Sequence, residues 1–187
     1  MDHYLDLKLL PDPEFPATLL MSALLGKLHR ALHDLRRDDV GVSFPDIEQN
    51  PRHLGSCLRV HGVEAALLAL QALNWLTGMR DHVETGAIQP VPAQVKYRSV
   101  SRVQVDSNPE RLRRRLMKRH DLSEEQARLR IPDGAAKRCT LPFATLRSAT
   151  TGQSFRLFIR HGALLDMPHK GSFNSYGLSS TATIPWF

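Results

Sequence analysis

The chain has 187 residues, 42% of them hydrophobic, and a formal net charge of +6, which suits one large or two small globular domains with an anionic partner. No apolar run approaches the roughly 18 residues of a membrane span, and the acidic start Met1-Asp2-His3-Tyr4 lacks the positive region of a signal peptide. Two cysteines, Cys57 and Cys139, make neither a disulfide framework nor a four-ligand zinc site, so a cytoplasmic protein with no membrane role is expected.

Leu5, Leu7 and Leu9 alternate with Asp6 and Lys8, the period of a half-buried strand, and Pro11 and Pro13 end it. From Ala17 to Leu35, residues Leu20, Leu24, Leu25, Leu28, Ala31, Leu32 and Leu35 recur three and four apart, predicting an amphipathic helix of about five turns. Residues 40–44 and 58–61 read as two further strands, the alanine-rich stretch 65–76 as a second helix, and 83–91 as a fourth strand. The order β-α-β-β-α-β is that of a ferredoxin-like unit. Pro90, Pro92 and Lys96 mark its end near residue 94. The fold class expected is α+β: a ferredoxin-like domain over 1–94, then a smaller β-rich domain over 95–187 that carries a basic helix.

That helix is strongly signalled. Residues 99–105 alternate as a short strand; Asn108 is then a preferred N-cap, Pro109 fits the first helical position, and Glu110 suits the positive end of the macrodipole. At about 100° per residue, Arg111, Arg114, Arg115, Lys118 and Arg119 share one arc, and Leu112 and Leu116 form an apolar stripe beside it. Pro109 to His120 holds six cations and one anion, a net of +5 out of the chain's +6. Basicity is therefore local, and like charges crowded on one face call for a polyanion such as nucleic acid. Ser123 and Gln126 form a capping box for a short helix that Pro132-Asp133-Gly134 stops. Residues 141–148, 154–160, 173–178 and 184–187 read as strands or extended pieces, with Thr150-Thr151-Gly152 as a turn.

Few residues announce chemistry singly. His29 and His33 lie four apart on a helix, a spacing that can present two imidazoles to a metal, but Arg30-Ala31-Leu32 lacks the glutamate of a zincin motif and no cysteine pair adds ligands. No metal or cofactor is expected. Neither a G-x-S-x-G elbow around Ser148 nor a P-loop is present, and Phe155, taken alone, reads as a core position ahead of a stacking platform.

In combination these residues are more specific. Gly26-Lys27-Leu28-His29, Gly41-Val42-Ser43-Phe44-Pro45-Asp46, Val100-Ser101-Arg102-Val103-Gln104, Leu146-Arg147-Ser148, Thr151-Gly152-Gln153, Phe155-Arg156-Leu157-Phe158-Ile159-Arg160-His161-Gly162, Tyr176-Gly177-Leu178-Ser179 and Pro185-Trp186-Phe187 follow one another as they do in a known family. The chain resembles the repeat-processing endoribonuclease of type I-F CRISPR systems, over its whole length and most densely from 98 to 162.

The resemblance implies a metal-independent endonuclease that binds a CRISPR repeat hairpin, cuts on the 3′ side of its stem, and stays with the mature guide RNA among the other subunits of a surveillance complex. His29, Ser148 and Tyr176 match the active site. Arg102 and Gln104 match the pair that reads bases in the lower stem, Arg111, Arg114, Arg115, Lys118 and Arg119 lie on the phosphate-contacting helix, and Phe155 matches the aromatic that stacks on the closing base pair. Lys118 supplies a point charge where the family has a guanidinium fork. Residues 163–175 depart most. The residue types suit the reaction, because a ribose 2′-OH supplies the nucleophile and the protein needs only a positioned base, for which His29 is the natural candidate. The competing reading is a non-catalytic hairpin-binding subunit of a ribonucleoprotein.

Overall fold

The computed structural model describes residues 1–104, 109–132, 139–148 and 151–187 of a mixed α+β chain. Contacts group it into two units, Met1–Val103 with Leu141–Phe187, and Gln104–Thr140.

In the first unit the alternation of β1 (His3–Leu9) sets the layering. Leu5, Leu7 and Leu9 turn inward, and β1 pairs antiparallel with β3 (Cys57–Gly62) so that Leu5 faces Val60 and Leu7 faces Leu58. With β2 (Gly41–Ser43) beside β3 and β4 (Val83–Thr85) beside β1, the order is β2-β3-β1-β4. The expected fourth strand is broken. Leu7 faces Thr85 and Tyr4 faces Gln89 of β5 (Gln89–Pro90), so four steps of this edge answer three of β1. The extra residue makes a bulge between two short pieces.

Helix α1 (Ala17–Leu35) buries Leu24, Leu28 and Leu32 on the expected stripe, and α2 (Glu64–Ala72) buries Leu67 and Leu70 in the same core. Each such leucine stabilises the fold by about 1.5–3 kcal/mol. Helix α2 stops four residues earlier than the apolar run suggests, because Asn74 takes a left-handed φ of 48°, which asparagine tolerates better than most residues. The opposite face of the sheet is polar but covered. Arg59 pairs with Asp6 through two nitrogens at 2.7 and 2.9 Å, and His61 is fully buried with Nε2 2.8 Å from Ser43 Oγ.

A second sheet has the order β7 (Val100–Val103), β9 (Ser154–His161), β8 (Phe143–Arg147). A third pairs β6 (Lys96–Arg98) with β10 (Ile184–Trp186). Val105, expected at the end of β7, lies outside the described residues. Ala144, Leu146, Leu157 and Ile159 of the second sheet join the core built on α1. Ser22 of α1 makes the junction specific: its hydroxyl donates to Thr18 O at 2.7 Å and accepts from Thr145 N of β8 at 3.0 Å. Residues 173–178, expected as extended, instead form a turn in which Gly177 N donates to Asn174 O at 2.8 Å.

The second unit holds α3 (Pro109–His120) and α4 (Glu124–Arg130). The Ser123/Gln126 capping box forms, with Gln126 N donating to Ser123 Oγ at 3.2 Å and Ser123 N to Gln126 Oε1 at 3.1 Å. Leu112 and Leu116 are half-buried, and Arg113 joins that side, 6% exposed, with Nε donating to Ile131 O at 2.8 Å. The Asn108 cap, the Asp133-Gly134 stop, the side chain of Arg111 and Thr150 lie outside the described residues.

Candidate active site

Helix α1, strands β7, β8 and β9 and the turn at 173–178, all in the first unit, converge on one cavity of about 670 Å³, lined among others by His29, Arg102, Ser148, Phe155 and Tyr176. These five residues are spread over 148 positions of sequence, from 29 to 176. Helix α1 brings His29 because the face that carries Ser22 onto β8 returns at 29, seven residues or two turns later. Just past the end of β8, Ser148 lines the cavity; its N donates to Gln153 O at 2.9 Å and its Oγ accepts from Thr151 N at 3.2 Å. The hydroxyl proton of Ser148 is thus left to donate elsewhere. Arg102 on β7 is exposed, with its guanidinium carbon 5.8 Å from the Phe155 ring centre.

His29 is held on two sides. Its ring lies parallel to that of Tyr176, centroids 3.9 Å apart at 7°. Its Nδ1 is 3.1 Å from the carbonyl oxygen of Ser175. A carbonyl only accepts, so Nδ1 carries the proton and the neutral ring presents Nε2 as a lone pair. Burial pushes the imidazole pKa below its usual 6.5, the Ser175 carbonyl opposes this, and the charges of His33 and Arg30 add to the lowering. Near pH 7 the ring is therefore neutral and a competent base. Burial raises the Tyr176 phenol pKa, so that group stays protonated.

Two basic residues that sequence reasoning did not assign also line the cavity, Arg30 and Arg147. Both are adjacent in sequence to an assigned residue, His29 and Ser148, the one signal that marks them. With Arg102 they set three guanidiniums against one carboxylate, Asp34, around the imidazole. That balance favours an anionic ligand such as a phosphodiester. His33 lies on the same rim, its ring centroid 6.4 Å from that of His29. Among the described residues no three His, Cys, Asp or Glu side chains form a group able to hold a metal ion, and no helix is long and apolar enough to cross a membrane.

The second unit carries the other assigned residues. Gln104 is exposed, and Arg114, Arg115, Lys118 and Arg119 lie exposed on α3.

A family model described as CRISPR-associated protein (Cas_Csy4) matches residues 4–187. Two curated relatives, each named CRISPR-associated endonuclease Cas6/Csy4, align over the full length of both chains. One, from Pseudomonas aeruginosa (strain UCBPP-PA14), is 58% identical over 187 residues, and the other, from Escherichia coli (strain UTI89 / UPEC), is 52% identical. With the match running from Tyr4 to Phe187, the chain belongs to the Cas_Csy4 family of CRISPR-associated proteins.

Proposed function

We propose that the protein is an endoribonuclease of CRISPR repeats that binds a repeat stem-loop, cuts at its 3′ base and keeps the mature guide RNA within a type I-F surveillance complex. The endonuclease names of the two full-length relatives support the reaction class. The observation that carries the mechanism is the His29 imidazole, proton on Nδ1 and lone pair on Nε2, in a cavity rich in guanidiniums.

In the proposed step Nε2 of His29 takes the proton of a ribose 2′-OH, the freed oxygen attacks the adjacent phosphorus, and the bond from phosphorus to the 5′-oxygen breaks, that oxygen taking a proton from water while the imidazolium returns its own to solvent. The products are a 2′,3′-cyclic phosphate and a 5′-hydroxyl. Ser148 donates to the 2′-oxygen or to the phosphate, Tyr176 holds the imidazole plane, and Arg102, Arg30 and Arg147 offset the charge that develops on the phosphate. No cofactor enters. Arg102 and Gln104 read base edges of the lower stem, Phe155 stacks on its closing pair, and Arg111, Arg114, Arg115, Lys118 and Arg119 run along the phosphates. Residues 1–94 supply the base from a ferredoxin-like unit, a reading that the strand order β2-β3-β1-β4 supports. Residues 95–187 supply RNA recognition.

A labelled repeat RNA incubated with the pure protein, with and without EDTA, tests this. Cleavage at the stem base at equal rates in both samples, leaving a 5′-hydroxyl, is expected. A 5′-phosphate, or a rate that vanishes with the chelator, refutes the mechanism, and tight binding without any cleavage favours the non-catalytic subunit.

A further inference from the structure

We propose that Asn174 is a positioning residue for His29: its side-chain oxygen orients the single peptide group whose carbonyl fixes the imidazole tautomer. The inference rests on the reading of His29 as the base. Asn174 Oδ1 accepts from Tyr176 N at 2.8 Å and from Leu178 N at 3.2 Å. The Tyr176 N–H and the Ser175 carbonyl belong to one planar trans peptide, in which the two groups point in opposite directions. Holding the N–H on Asn174 therefore aims the carbonyl, and that carbonyl lies 3.1 Å from His29 Nδ1.

The rest of the loop is tied down around this peptide. Asn174 N donates to Leu178 O at 3.0 Å, and Gly177 N donates to Asn174 O at 2.8 Å. Val42 N of β2 donates to Gly177 O at 2.9 Å, and Phe173 N donates to Asp38 O at 2.8 Å. Gly177 has a φ of +70°, and a Cβ there would sit 2.7 Å from Val42 Cγ1, so glycine is required where the loop docks. Both ends are thus anchored to the first unit by main-chain bonds. The Ser175–Tyr176 peptide between them is held by a side chain, that of Asn174.

The chemical consequence is specific. An imidazole that loses its Nδ1 acceptor is free to move its proton to Nε2, and an Nε2–H ring cannot take a proton from a 2′-OH at that nitrogen. Asn174 itself is exposed and touches neither reacting atom in this scheme.

The test uses the full-length protein, a labelled repeat hairpin and ring-nitrogen NMR of histidine-labelled samples. In the parent protein His29 should show the Nδ1–H pattern. Asn174→Ala should lose that pattern and cleave about 10- to 100-fold more slowly at saturating hairpin, with hairpin affinity unchanged. Asn174→Gln, which moves the oxygen out by a methylene, should behave like Asn174→Ala and gives the same answer if alanine compromises folding. Asn174→Asp, which keeps an acceptor in place, should restore both the tautomer and the rate. Retention of the Nδ1–H pattern and the parent rate in Asn174→Ala and Asn174→Gln overturns the proposal, as does an Asn174→Asp protein as slow as Asn174→Ala. His29→Ala separates the two readings: if it cleaves undiminished the base assignment fails, whereas an inactive His29→Ala beside a fully active Asn174→Ala defeats the positioning role alone.

Discussion

The cavity around His29 and the outer face of α3 both collect cationic groups, and they are built in opposite ways. In the cavity the groups nearest the proposed chemistry have fixed partners: the Ser175 carbonyl and the Tyr176 ring on His29, Thr151 N on Ser148, Gly152 O on Arg147 Nε at 2.9 Å. On α3 the residues Arg114, Arg115, Lys118 and Arg119 are exposed, whereas Arg113 is buried and turns to Ile131 O. Moving one proton requires atoms held within fractions of an ångström, whereas offsetting a row of phosphates requires only charge at about the right spacing. Substitutions in the cavity should therefore act sharply on rate, and those on the helix gradually on affinity.

The sharpest break in that comparison comes from the RNA. A single 2′-deoxy substitution at the nucleotide 5′ to the scissile phosphate should stop cleavage while leaving binding intact, so that the hairpin becomes an inhibitor. Cutting of the deoxy substrate at the normal site would show that water attacks.

His29→Ala should lower the cleavage rate by about 10²- to 10⁴-fold, the usual scale of general-base loss, with hairpin affinity nearly unchanged in a filter-binding assay. Because burial lowers the His29 pKa, the single-turnover rate of the parent protein should be flat at neutral and alkaline pH and decline only in buffer more acidic than an ordinary imidazole base would need, as the base becomes protonated. The range must be bounded by a stability measurement. His61, fully buried and pushed down to about 3, and His161, half-buried and pushed down to about 4, are both neutral in the folded protein. Their folded pKa values lie below the unfolded 6.5, so the stability they contribute is complete above that pH. It drains as the pH falls toward 3 and 4, at up to about 1.4 kcal/mol per unit for each.

Arg102 stands between the two regimes, exposed like the helix residues but on the cavity rim. Arg102→Ala should cost about 1–3 kcal/mol of discrimination at one stem pair. Affinities measured across hairpins with changed pairs settle this, and uniform weakening would place Arg102 with the phosphate contacts.

Arg115→Ala or Arg119→Ala should have the smallest effect: a modest weakening, equal for all hairpins, with the slope of log affinity against log salt reduced by about one. A slowed chemical step in either variant would dissolve the distinction between the two regions.

Sequence periodicity carried the scaffold well where burial has one solution. The leucine spacing of α1 marks the helix from Ala17 to Leu35, and the alternation in β1 marks its inward face. It misled where local geometry overrides composition. The apolar run after Ala72 continues past the helix because Asn74 turns the backbone, and the stretch 83–91 holds two strand pieces because the edge carries one residue more than β1.

The site was legible only as an assembly. No periodicity links His29 to Ser148 or Tyr176; the order of motifs did so. Residues 173–178 were misread as extended although Asn174-Ser175-Tyr176-Gly177 has the asparagine-first, glycine-fourth pattern of a turn. The Ser175 carbonyl escaped notice for a simple reason, since a main-chain acceptor has no residue type to read.

Strand β8 is the outer strand of its sheet, and a bare outer strand is a template on which a second chain can add. Ser22 of α1 occupies that position by taking the Thr145 N–H. The helix that carries the proposed base is thus also the guard against sheet extension between molecules. Mutations that loosen α1 from β8 would release the Thr145 N–H and open the edge, so turbidity and high-order species would appear alongside any loss of cleavage. A single hydroxyl contact thus bears both on the closing of the sheet edge and on the seating of the helix that carries the proposed base.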